Sequence, residues 1–241
     1  MFFQYETTPN CLLETLMFIL AQPLNVLNSN VWWLINAIVL LFMLVFGFLA
    51  FKRNSFFNFK NNNQQNIWLS TTFALSIIWL MRAQLLDNLY LHFIGIHLAY
   101  LLLGIPLAGL ALAIVLAFTN MTQHVSFEIW GAQYALSILF PLFLSYVLHL
   151  MLAKRLPKRL FAFIFIHGFF GTAMIMASTV AFNLLVLNYF GIISLEVGNG
   201  VFWISSILLG WGEAFMTGMI VTLVAVYRPE WLQHRIQFKD V

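Results

Sequence analysis

The histidines and carboxylates of this sequence are few enough to weigh one by one. Asp87, His92 and His97 fall close together, His124 and Glu128 follow, and Glu196 stands alone further on. Neutral imidazole suits late first-row metals such as nickel, cobalt, copper and zinc, with carboxylates as possible helpers. His92 and His97 are five residues apart, so on one helix they diverge by about 140° and do not form the i, i+4 pair of a helix-borne zinc site. Each can supply one ligand to a site completed by other segments, or His97 can hydrogen-bond a neighbouring helix. Polar groups of this kind are also what solvation at a membrane edge requires. His149 and His167 read as packing or interface residues, and His234 carries no signal.

Glu213 is the most conspicuous residue, because it stands in the middle of VFWISSILLGWGEAFMTGMIVTLVAVY. A carboxylate at the centre of a bilayer costs at least ~2.5 kcal/mol unless it is paired, protonated or facing a cavity. It therefore reads either as a functional group or as a buried hydrogen-bonding group that fixes helix packing, with Thr217 and Trp211 as available partners. An intramembrane enzyme would need two convergent polar residues at one depth, and only Glu213 lies deep. No Walker sequence, GxSxG, HExxH or glycine-rich nucleotide loop occurs, so the chain is not expected to be an enzyme.

The elements that must position these groups are membrane helices. Of 241 residues 62% are apolar, 17% aromatic and 8% charged, which leaves too little polar surface for a water-soluble domain. The lone cysteine, Cys11, excludes an intrachain disulfide and Cys-rich metal sites. A net charge of +3 is too small and too scattered for nucleic acid. A crossing helix needs about 20 mostly apolar residues, a length met by 31–51, 130–152, 160–182 and 201–227. Residues 67–81 reach it if Arg82 lies at an interface. Residues 89–118 are too long for one upright span and carry Gly104 and Pro106 at their centre.

Lys and Arg gather in cytoplasmic loops, and ten of the eleven here occupy three segments: 52–60, 154–159 and 228–239. All three share a side only if 89–118 crosses an even number of times. Two short helices turning near Gly104 to Pro106 meet that condition, as does a re-entrant pair. The expected architecture is an all-α polytopic bundle of about seven transmembrane helices, amino terminus outside and carboxyl terminus cytoplasmic. Residues 1–30 are expected as an external or interfacial extension, 31–232 as the membrane domain and 233–241 as a cytoplasmic tail. Small residues recur every four positions at Gly109, Ala113 and Ala117, at Ala173, Ala177 and Ala181, and at Gly210, Ala214 and Gly218. Such faces pack helices closely in lipid.

Two segments resemble one family. His92-Phe93-Ile94-Gly95 followed by Leu102-Leu103-Gly104-Ile105-Pro106-Leu107-Ala108 is similar to the His-aliphatic-Gly helix and Gly-Pro turn of the CbiM-like permeases. These are the substrate-capture membrane subunits of cobalt and nickel energy-coupling-factor ABC transporters. The run Gly212 to Thr222, with Tyr227-Arg228-Pro229-Glu230-Trp231-Leu232 after it, resembles that family's last helix and its Arg-Pro-Glu end. The likeness covers about residues 31–232, and a proteobacterial branch of predicted membrane proteins is most similar.

The resemblance implies capture of a divalent transition metal, cobalt or nickel, on the outer side of the bacterial inner membrane. It also implies a coupling transmembrane subunit and separate ATPase subunits as partners. His92 matches the family's ligand. Residue two is Phe2, where the family has a second ligating histidine. A metal set of His92 with His97, Asp87 or His124 takes its place, Glu213 and Thr217 are central polar residues of the bundle, and Arg155, Arg159, Arg228 and Glu230 are candidate partner contacts. A different function on the same fold is a non-transporting membrane assembly factor or metallochaperone that lacks the metal site.

Overall fold

The computed structural model describes residues 29–52, 62–81, 83–86, 89–91, 93–122, 127–153, 160–189 and 201–232. Six long helical elements carry nearly all of them. They are α1 (Ser29–Lys52), α2 (Asn62–Leu80), α3 (Ile96–Thr122), α4 (residues 127–153), α5 (residues 160–189) and α6 (Val201–Tyr227), followed by a 3₁₀ turn at Pro229–Trp231. Five of these are long and apolar enough to cross a membrane: α1, α3, α4, α5 and α6. The sequence reading expected about seven crossings. α2, with its Asn- and Gln-rich start, is not among the five.

Between α2 and α3 stands an antiparallel hairpin of β1 (Ala83–Leu86) and β2 (Leu89–Leu91), with Ala83 opposite Leu91 and Gln84 opposite Tyr90. This corrects the placement of 89–95 on a helix. Leucine and tyrosine are common in helices, but here their backbone groups pair between the two strands and the helix begins at Ile96.

Gly104 kinks α3 where the sequence reading put a turn between two short helices, and residues 96–122 form one long apolar element instead of two. The Gly104 φ of 71° and ψ of 175° lie in a region that only glycine occupies without strain. The helix restarts at once, so Pro106 sits in a first turn, where a missing N–H costs no ladder bond. The Trp68 indole donates to the Leu107 carbonyl at 3.0 Å, and so ties α2 to this restart.

α4 and α5 each contain a wider π-helical stretch, Ala135–Leu139 and Ile164–Gly171. The core runs through α3, most of whose side chains are buried, with Trp79, Tyr100, Tyr134 and Phe163 as its largest fully enclosed members. Glycine permits the close approaches. A Cβ on Gly109 would overlap the Phe46 ring, and one on Gly218 would overlap the Phe169 ring. Gly210, Ala214 and Gly218 thus serve packing within the chain, whereas Ala177 faces outward.

Candidate functional site

The best-defined polar arrangement in the bundle is the start of α3. Glu213, 2% exposed, reaches from the middle of α6 to the backbone just ahead of that helix. Its Oε1 accepts from the Ile94 N–H and, at 3.0 Å, from the Gly95 N–H, while Oε2 lies 3.3 Å from the latter. Gly95 has φ +64°, and its carbonyl accepts the first helical bond, from Ala99 N at 3.0 Å. The carboxylate therefore serves as a cap supplied by a distant helix. Free N–H groups at that point give the buried carboxyl group the donors that burial would otherwise deny it. Thr217 and Trp211 are not its partners, unlike the sequence reading's expectation: Trp211 is largely exposed, and the fully buried Thr217 hydroxyl has no hydrogen-bond partner among the described residues.

The same short segment is held on its other sides. The Trp79 indole donates to the Ile94 carbonyl at 2.9 Å, and the Phe93 ring lies where a Cβ on Gly212 would be. A Cβ on Gly95 would meet the Leu75 side chain at 2.5 Å. Residues 93–95 are thus gripped by α2 and α6 through both backbone and side chains.

His97, one turn further on, is 3% exposed. Its Nε2 is 3.1 Å from the His167 carbonyl oxygen and its Nδ1 is 3.0 Å from Ser145 Oγ. A carbonyl only accepts, so the ring proton of the neutral form is on Nε2, and Nδ1 is left as an acceptor facing the Ser145 hydroxyl. That hydroxyl also lies 2.8 Å from the Pro141 carbonyl. Nε2 is thus engaged by a carbonyl, and Nδ1 competes with the Pro141 carbonyl for one hydroxyl proton. His167 belongs to the π-helical stretch of α5. Its ring stacks on that of His97 at 6.3 Å, and His149 lies 5.6 Å from it. Sequence reasoning treated His97, His149 and His167 separately, because nothing in their spacing announces that three helices bring them together.

Between Glu213 and His97 lies a cavity of about 20 Å³, also lined by Pro141, Thr172 and Thr179. That is room for about one water. Among the described residues no group of three or more His, Cys, Asp or Glu is arranged to hold a metal ion. His92, Asp87 and His124 lie outside the described residues, as do Arg155 and Arg159. Arg228 and Glu230 form an exposed ion pair at 3.6 Å just after α6.

The sequence matches the CbiM family, described as the cobalt uptake substrate-specific transmembrane region, over residues 23–231. The chain belongs to this family. A solved crystal structure of a truncated transition metal transporter shares the fold, with a TM-score of 0.60. It is 19% identical and the alignment covers 86% of this chain and 99% of that one. No curated protein matches the sequence. In this CbiM chain the two segments that resemble CbiM-like permeases meet: Ile94 and Gly95, which follow His92 in sequence, are bound to Glu213. Its family is that of a membrane region of cobalt uptake, and the solved structure shares its fold.

Proposed function

We propose that this CbiM-family chain is the substrate-capture permease for a divalent transition metal cation, cobalt or nickel, taken up from the outer face of the bacterial inner membrane. One observation carries the reading beyond membership: Glu213, in the segment resembling the family's last helix, binds the backbone of the segment that carries His92. Two stretches far apart in sequence, each similar to the family, are joined at the start of α3. His92 is the first ligand, and His97, Asp87 and His124 are the candidates to complete the set. For His97 to join, it must release Ser145 or the His167 carbonyl.

In this reading α2 and the break at Gly104 supply the crossings beyond the five long apolar helices. The amino terminus lies outside, and the three basic segments face the cytoplasm. Transport is driven by separate ATPase subunits through a coupling transmembrane subunit, with Arg155, Arg159, Arg228 and Glu230 at the contacts. The chain itself catalyses no reaction and needs no resident cofactor, the metal being its cargo.

Elemental analysis of the purified protein by plasma mass spectrometry, wild type beside His92→Ala, tests the proposal. Stoichiometric cobalt or nickel that disappears in the variant is the expected result. No bound metal in either protein, with added ions also failing to bind, would replace capture by a membrane assembly role on the same fold.

A further inference from the structure

We infer that the buried polar face of α5, where it meets His97, is the route by which the cation moves inward through the bundle. The inference rests on the transport reading above and adds to it a path built on Thr172, Thr179 and Asn183, none of which belongs to the capture set. α5 is long and apolar enough to cross a membrane, yet His167, Thr172, Thr179 and Asn183 are all buried within the bundle. Polar side chains at membrane depth are costly and mark substrate and ion pathways.

Thr172, Thr179 and Asn183 share one face by ordinary helical spacing, being seven and four residues apart. His167 stands five residues before Thr172, and an α-helix would turn it aside by about 140°. The π-helical stretch Ile164–Gly171 closes i→i+5 bonds instead, which adds about one residue to the turn and brings His167 back toward that face. The wider winding thus has a consequence for chemistry: four polar groups on α5 look the same way.

Contacts show where they look. The His167 ring stacks on that of His97 at 6.3 Å, and its carbonyl lies 3.1 Å from the same imidazole. Thr172 and Thr179 line the cavity of about 20 Å³ that also touches His97 and Glu213, a space for one water or one bare metal ion. Both hydroxyls donate within α5, Thr172 to the Gly168 carbonyl and Thr179 to the Ile175 carbonyl, each at 2.7 Å. A hydroxyl that glues helices together bonds across to its neighbour. These two spend their protons on their own helix, and each oxygen keeps acceptor lone pairs that a cation can use. Beyond His167 the route reaches His149, whose ring is 5.6 Å away and which stands one turn before the end of α4. Imidazole suits late first-row metals.

Thiolate binds such metals more firmly than hydroxyl does, and its bond to Co²⁺ gives a charge-transfer band in the near ultraviolet. Cys11→Ser removes the native thiol, and Thr172→Cys or Thr179→Cys then places one of similar size on the route. Cobaltous chloride is titrated into purified full-length Cys11→Ser protein and into the same protein carrying Thr172→Cys, Thr179→Cys or Leu112→Cys. The last site is fully buried too, but in the apolar core of α3. Absorption is followed from the near ultraviolet through the visible, so that bound Co²⁺ and thiolate-bound Co²⁺ are read together.

Both threonine variants are expected to gain the thiolate band, which stays absent from the Cys11→Ser background and from Leu112→Cys. Should Thr172→Cys fail to fold, Thr179→Cys decides alone. No band in a Thr179→Cys protein that still binds Co²⁺ overturns the route and leaves capture standing, as does an equal band in Leu112→Cys. A background that binds no Co²⁺, with no band in either threonine variant, overturns both.

Discussion

Glu213 Oε1 accepts the N–H of Gly95, 118 residues earlier in the chain, at 3.0 Å. That bond joins the middle of one apolar helix to the beginning of another. It explains how a carboxylate is accommodated deep in the bundle, and its consequences are open to measurement.

Gly95 carries a positive φ and its missing Cβ is occupied by Leu75. Gly95→Ala is expected to lower stability by about 1–3 kcal/mol through backbone strain. Gly47, in α1, has nothing within 4 Å of an added Cβ, so Gly47→Ala should be neutral or slightly stabilising, alanine being the better helix former. Thermal unfolding in detergent compares the two, and equal effects would contradict the assigned backbone at Gly95.

At the break in α3 glycine and proline have separate jobs. Gly104→Ala should cost about 1–3 kcal/mol, because its φ and ψ suit glycine alone. Pro106→Ala should change stability by under about 1 kcal/mol, since the ring stands in a first turn and interrupts no ladder bond. A large gain from Pro106→Ala would mean that proline, not glycine, makes the break.

His97→Ala removes the ring that donates to the buried His167 carbonyl, while the Ser145 hydroxyl keeps the Pro141 carbonyl. Leaving buried groups unpaired costs about 1–3 kcal/mol, so the unfolding midpoint should fall. Metal content measured on the same sample should match wild type if His97 keeps these bonds when metal is bound. Loss of metal would show that the ring leaves them to become a ligand.

The Arg228–Glu230 pair is 65% and 37% exposed. Ion pairs of that kind contribute under about 1 kcal/mol, so Arg228→Ala should leave the unfolding midpoint within error. Co-purification of the proposed coupling and ATPase subunits is the sensitive readout: a reduced yield with unchanged stability would place this end of α6 at the contact.

Composition alone determined that this chain is a helical membrane protein, because 8% charged residues cannot cover a water-soluble surface. Length and hydropathy located α1, α4 and α6 to within a few residues, whereas α3 begins seven residues later and α5 ends seven residues later than expected. The break at Gly104 was legible because glycine followed closely by proline is a local signal, carried by backbone sterics within a few residues. The family was legible from ordered motifs around His92 and Glu213. The hairpin before α3 was not, since seven strand residues rich in leucine carry no periodicity that separates strand from helix. Nor was the partner of Glu213: Thr217 and Trp211 are near in sequence, yet the carboxylate turns to backbone donors that no residue type encodes. The gathering of His97, Ser145 and His167 was equally hidden, because π-helical winding and helix packing set which carbonyl meets which ring. Those bonds depend on distances between helices, and only the tertiary structure brings the helices together.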